Sequence, residues 1–185
     1  MNINPFIENY KNSLVIADNT KTSTTNYKEI DELFSKYGGL SVDLGVFKIH
    51  TYSSSNKWTT IIADTFPDYK DKIIVFGFDW LGKQYARHIS EEIVYMFDIA
   101  TRQVFLLETN VETFFNVDLI EFANDTIQTE MFLEWNKEKK HIKFNQIVGF
   151  KIPLFLGGKD TIDNYELIDA EVDWEINKQI RDKIE

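Results

Sequence analysis

The stretch Lys72–Leu107 constrains this chain most. Ile73, Ile74, Val75, Phe76, Phe78 and Trp80 alternate and then saturate with apolar side chains. Gly82 marks a turn, Gln84–Ile89 returns, and Ile93–Ile99 and Val104–Leu107 follow, separated by Ala100-Thr101-Arg102-Gln103. Short β-branched and aromatic runs bounded by turn residues read as an antiparallel meander. Such a sheet needs something to bury at least one face, and the flanking segments supply it with helical periodicity.

On the N-terminal side, a short helix is expected over Ile7–Leu14, then a polar loop over Asp18–Asn26. Tyr27, Ile30, Leu33, Phe34 and Tyr37 fall at three- and four-residue spacing, and Gly38-Gly39 closes that helix. A strand over Leu44–Tyr52 follows, with Ser53-Ser54-Ser55-Asn56 as a turn and capping signal. Trp58, Ile61, Ile62 and Phe66 make a second helix that stops before Pro67. Beyond the meander, Asn110 caps a helical region that continues with a break to Trp135, and Lys137-Glu138-Lys139-Lys140 reads as its solvated end. Ile147–Phe150 is a short strand and Asp160–Asn164 a turn. The last segment alternates like a strand in Val172, Trp174 and Ile176 but also repeats every fourth residue; its polar filling, with Asp169 as cap, favours a helix. The expected fold is α+β, a twisted antiparallel sheet near Val46–Leu107 covered by helices on one side, with a helix-rich C-terminal half. A soft division separates 1–109 from 110–185.

Lys151–Asp160 (KIPLFLGGKD) is an apolar run with Pro153 early and Gly157-Gly158 late, which reads as a packed corner. Leu154, Phe155 and Leu156 are expected to seat the C-terminal half on the sheet, so that Leu156→Asp would unfold the chain.

The chemistry that the residues allow is narrow. With no cysteine there is no disulfide, thiolate nucleophile or thiolate metal site, and His50, His88 and His141 lack metal-ligand spacing. A net charge of −10 argues against nucleic acid and anionic membrane as partners and suits a basic protein. No apolar run reaches the roughly 20 residues of a membrane helix, and the chain reads as cytoplasmic. Gly157-Gly158-Lys159-Asp160-Thr161 has residue types of a phosphate loop without the Walker spacing. Asp163, Glu166, Asp169, Glu171 and Asp173 do not match a calcium loop and read as an acidic face. Asp79 reads as an anchor for the Leu81-Gly82 turn or, alternatively, as an acid/base group. An enzyme reading would need Asp79, His88 and Glu92 to converge in a cleft. No catalytic residue, cofactor or metal is expected.

Four stretches taken in order carry a resemblance: FGFDWLGKQYA (Phe76–Ala86), YMFDIATRQVFLLET (Tyr95–Thr109), VGFKIPLFLGGKDTIDN (Val148–Asn164) and EVDWEINKQI (Glu171–Ile180). Together they resemble the bacterial family of type VI secretion immunity protein C-terminal domains preceded by a GAD-like segment, which looks related to the SUKH superfamily. The chain departs from that pattern at Ile147-Val148-Gly149-Phe150, Tyr165 and Asp173-Trp174. The resemblance implies a non-enzymatic cytoplasmic antitoxin that binds a toxin with a basic active-site surface. Candidate contacts are Asp163, Tyr165, Glu166, Asp169, Glu171 and Asp173, with Tyr165 as an exposed aromatic anchor. A housekeeping scaffold or regulatory protein of the same fold is the alternative, followed by a small hydrolase or nucleotide-binding enzyme.

Overall fold

A computed structural model describes residues 1–10, 14–15, 17 and 24–184. The elements in chain order are α1 (Asn4–Asn9), β1 (Leu14–Val15), α2 (Lys28–Tyr37), β2 (Leu40–Val42), β3 (Phe47–Ile49), α3 (Tyr52–Thr65), β4 (Ile73–Asp79), β5 (Gln84–His88), β6 (Val94–Asp98), β7 (Gln103–Leu107), α4 (Val111–Thr113), α5 (Ala123–Ile127), α6 (Thr129–Trp135), β8 (Gln146–Phe150), β9 (Tyr165–Asp169) and α7 (Ala170–Ile184). β1 to β7 form one antiparallel sheet in sequence order, and β8–β9 a separate hairpin. The expected α+β class and meander stand. The helix expected over Ile7–Leu14 ends at Asn9 in its described part, residues 11–13 lying outside the described residues, as do residues 18–23 of the expected polar loop.

Helices flank both faces of the sheet, not one. Phe6 of α1, Ile30, Leu33 and Phe34 of α2, Phe114, Phe115 and Phe132 bury one face. Trp58 and Ile62 of α3, Ile147 of β8 and Trp174 of α7 bury the other. This explains why β4 reads as nearly continuous apolar sequence: a central strand covered on both sides has no solvent face. A bulge at Phe76, between the pairs Val75–Ala86 and Gly77–Tyr85, puts Phe76 and residue 77 on the same face. The Phe47 ring occupies that spot, 2.7 Å from where a Cβ on Gly77 would sit, so only glycine fits.

The strand expected over Leu44–Tyr52 is confined to β3; β2 precedes it, outside the expected span, and the two are joined by a tight turn in which Asp43, Leu44 and Gly45 all have positive φ. Leucine has no local preference for that conformation, so its sequence carries no signal there. α3 begins at Tyr52, a turn earlier than expected. Thr51 and Ser54 form a reciprocal capping box, so the serine run is the first turn of the helix and not a loop before it. A π-helical turn over Phe114–Asp118 follows α4 and provides the break in the expected helical region. β9 is a strand that the sequence reading lacks.

Candidate partner-binding surface

The C-terminal helix sets the frame of this surface. Trp174 packs edge-on against Trp58 at 5.4 Å and donates from Nε1 to Thr65 Oγ1 at 2.9 Å, which locks α7 to α3. Asp169 caps α7 as expected, its Oδ1 accepting from the amides of Glu171 and Val172 at 3.0 and 3.3 Å. Asp173 points inward and lies where a Cβ on Gly149 would be only 2.6 Å from its Oδ1. Burial pushes its carboxyl up to about 6. Glu171 is held by Lys57 at 2.6 Å. The predicted acidic face is therefore divided: Asp169, Glu171 and Asp173 are engaged in the fold, while Asp163 and Glu166 remain exposed.

The long connection between β8 and β9 is organised by one side chain. Asn164 Oδ1 accepts from the Ile152 amide at 2.9 Å, and its Nδ2 donates to the carbonyls of Ile152 and Lys159 at 2.8 and 2.9 Å. Lys151 N also donates to the Asn164 carbonyl at 2.8 Å. A Cβ on Gly158 would fall 1.9 Å from the Ile152 carbonyl oxygen, so the close approach of the two chain segments requires glycine there, whereas at Gly157 it is the φ of +90° that favours glycine. The apolar run between them is not the buried corner that its composition suggests. Leu156 is 50% and Ile152 54% exposed, and Phe155 packs beneath the Arg181 guanidinium at 4.2 Å. The segment is a rim beside α7, so the expected unfolding by Leu156→Asp loses its basis.

Between α6 and residues 160–163 runs an open groove of about 630 Å³. Met131 and Trp135, one helical turn apart, line one wall, and Ile162 the other; Glu134, Asp160 and Asp163 bring three carboxylates against the single Lys137. Tyr165 is its seam and not an exposed anchor. It is only 4% exposed, its hydroxyl bonds Asp160 Oδ1 and approaches Met131 Sδ at 2.8 Å, and burial raises its pKa, with Asp160 adding to the shift. Of the six predicted contacts, Asp163 lines this groove and Glu166 lies exposed two residues beyond Asn164.

The residues of the enzyme reading do not converge. Asp79 pairs with Phe47 and His88 with Ile73, six residues apart along β4, about 20 Å. Asp79 anchors its turn: Oδ1 accepts from the amides of Leu81 and Lys83 at 2.9 and 3.0 Å, and Oδ2 from the Tyr85 hydroxyl at 3.1 Å. Burial raises its pKa to about 6. Glu92 lies exposed in the loop before β6.

The sequence reading missed a buried polar row on the other face of the same strands. Lys48, fully buried, donates from Nζ to the Gln146 carbonyl at 2.7 Å and lies 4.9 Å over the Phe78 ring. His50 stacks on Phe78 at 4.8 Å and bonds Gln84 Oε1 at 2.9 Å and Ser54 Oγ at 3.0 Å. Burial lowers the pKa of Lys48 to about 7 and that of His50 to about 4. Ser41, the cross-strand partner of Lys48, has a buried hydroxyl without a hydrogen bond. Alternation predicts that such residues face solvent; here α3 and the β8 region cover them. All are closed off from solvent, so they are set to shape the core and not to meet a substrate.

Among the described residues no group of three metal-ligating side chains occurs, and no helix is long and apolar enough to cross a membrane. Residues 108–181 match the family model described as T6SS immunity protein Tdi1, C-terminal. Among solved structures, the chain is similar to that reported as the crystal structure of Atu4351 from Agrobacterium tumefaciens, with a TM-score of 0.70 at 18% identity over 96% of this chain and 89% of that one. At that identity the likeness is one of fold. No curated protein matches. The segment that builds α6, the β8–β9 hairpin and most of α7 is thus similar to the C-terminal part of type VI secretion immunity proteins.

Proposed function

We propose that this chain is a cytoplasmic immunity-type protein that binds and neutralises a secreted bacterial toxin by occupying it, without chemistry of its own. The family match over residues 108–181 carries the reading, because the matched segment also forms both walls of the groove. Three carboxylates beside Trp135 and Met131 suit a basic toxin segment: the charges speed encounter, and the aromatic and thioether surfaces supply apolar contact. The net charge of −10 favours a basic protein over nucleic acid or anionic lipid. We further propose that 1–109, the GAD-like part in this reading, and 110–185 act as one body; the Trp174–Trp58 contact and the Trp80 Nε1 bond to the Ile127 carbonyl at 2.8 Å support this.

The test is capture of the product of an adjacent toxin gene by the wild-type chain and by Glu134→Lys/Asp163→Lys. Wild-type capture with at least a tenfold loss in the double variant, at unchanged circular dichroism, is the expected result; it corresponds to about 1.4 kcal/mol. Equal capture by both would remove the groove from the interface, and no capture by either would remove the immunity reading.

A further inference from the structure

α6 borders two hollows. Met131, Glu134 and Trp135 line the groove described above, whereas Phe132, Leu133 and Asn136, on the opposite side of the helix, line a separate cavity of about 480 Å³. Its other walls come from distant parts of the chain: the end of α1 at Tyr10, the tight turn at Asp43 and Leu44, and the connection after α6 at Lys137 and Lys139. Four segments surround one hollow, a shape that takes a compact body and not an extended strand.

These walls are fixed in place. Asn136, buried, donates from Nδ2 to the Lys140 carbonyl at 2.8 Å and accepts at Oδ1 from the Lys140 amide at 2.9 Å, while the Lys139 amide donates to the Asn136 carbonyl at 2.9 Å. The Ile142 amide bonds the Leu44 carbonyl at 2.8 Å, which ties this connection to the turn. Asp43, Leu44 and Lys139 hold φ values of +38°, +64° and +53°. Non-glycine residues held in that region are strained, and such residues cluster at ligand clamps.

The lining joins an apolar floor to a cationic rim. Val46 and Phe132 are buried at the floor, and Leu133 stands 68% exposed. Lys137 and Lys139 are both exposed. Among the described residues neither lysine has an ion pair, and Asp43 is the one carboxylate on the lining. Two lysines against one carboxylate reverse locally the sign of a chain whose net charge is −10.

We propose that this cavity binds a small amphipathic organic anion, its apolar body seated on Val46, Phe132 and Leu133 and its single anionic head held by Lys137 and Lys139. The volume falls in the range of small-molecule sites, about 300–1,000 Å³. Charge complementarity selects an anion, and the surrounding walls select a free molecule over an extended acidic peptide. The cavity lies across α6 from the toxin groove, so the inference does not rest on the proposed function.

The chain alone, without toxin, tests it, with anilinonaphthalenesulfonate as the probe, an aromatic body with one anionic head. Its fluorescence should rise and saturate at one site per chain; decanoate should displace it, and decylammonium and decanol should not. Lys139→Glu should weaken both anions about fivefold and Leu133→Asp about tenfold at unchanged circular dichroism. Neither residue lines the groove, so the outcome is separate from toxin capture. Absence of saturable binding would overturn the proposal. So would displacement by decanol equal to that by decanoate, which would leave a hollow without head recognition, or affinities unmoved by both variants, which would place the dye elsewhere on the surface. Displacement by an acidic peptide at lower concentration than decanoate would overturn it in favour of a protein segment.

Discussion

Lys48→Met isolates the energetic consequence of a cation enclosed between sheet and helices. Burial lowers the Lys48 pKa from 10.5 to about 7. The folded state therefore binds fewer protons than the unfolded state between pH 7 and about 10.5, so stability rises with pH across that window. At 1.36 kcal/mol per unit, the group destabilises the fold by about 4 kcal/mol at pH 7 and by about 1.5 kcal/mol at pH 9.5. Methionine has a similar length and no charge, but it leaves the Gln146 carbonyl without its donor, a cost of about 1–3 kcal/mol. The variant should thus be more stable than wild type by about 1–3 kcal/mol at pH 7, and that advantage should shrink by about 3 kcal/mol on going to pH 9.5. Urea unfolding of both proteins at half-unit pH steps measures this, and subtracting the curves removes titrations that they share. A difference that stays flat with pH would refute the argument, since it would mean that Lys48 titrates alike in the folded and unfolded chains.

Two further outcomes follow from the β8–β9 connection. Asn164→Ala removes three side-chain hydrogen bonds from a buried position and should cost about 2–4 kcal/mol, read as a lower urea midpoint together with faster proteolysis after Lys159. Leu156→Asp should fold, with a loss of stability below about 1 kcal/mol by thermal melting, because its side chain is half exposed.

The elements legible in the sequence are those specified by neighbours a few residues apart. The three- and four-residue spacing of Ile30, Leu33, Phe34 and Tyr37, the turn at Gly82 and the Asp169 cap each act within a turn or two of chain. The elements that were not legible depend on distant packing. Leu44 adopts a positive φ while its carbonyl receives the Ile142 amide at 2.8 Å and a side chain at Gly45 is blocked by Ile142, nearly a hundred residues on. β9 was obscured because Glu166 and Asp169 read as surface charge, although the backbone there pairs with Gln146–Phe150 residue for residue. The candidate surface was legible in part: Asp163 belongs to the groove, but Trp135 and Met131 read only as helix periodicity, and nothing local showed that residues 160–163 would stand opposite them.

The residues alone thus determined the α+β class, the meander and its turns, the caps at Gly38, Asn110 and Asp169 and the lack of any thiol, because capping, periodicity and composition are local quantities. The tertiary structure decided which side chains see water. Asp173 is enclosed, Leu156 is exposed and Tyr165 closes a seam, each against its sequence expectation, and Lys48 is enclosed where no sequence signal marked it. Exposure is set by what packs from the other end of the chain, as when Trp174 reaches Thr65 to hold α7 across the sheet. That contact costs no local sequence signal and leaves none.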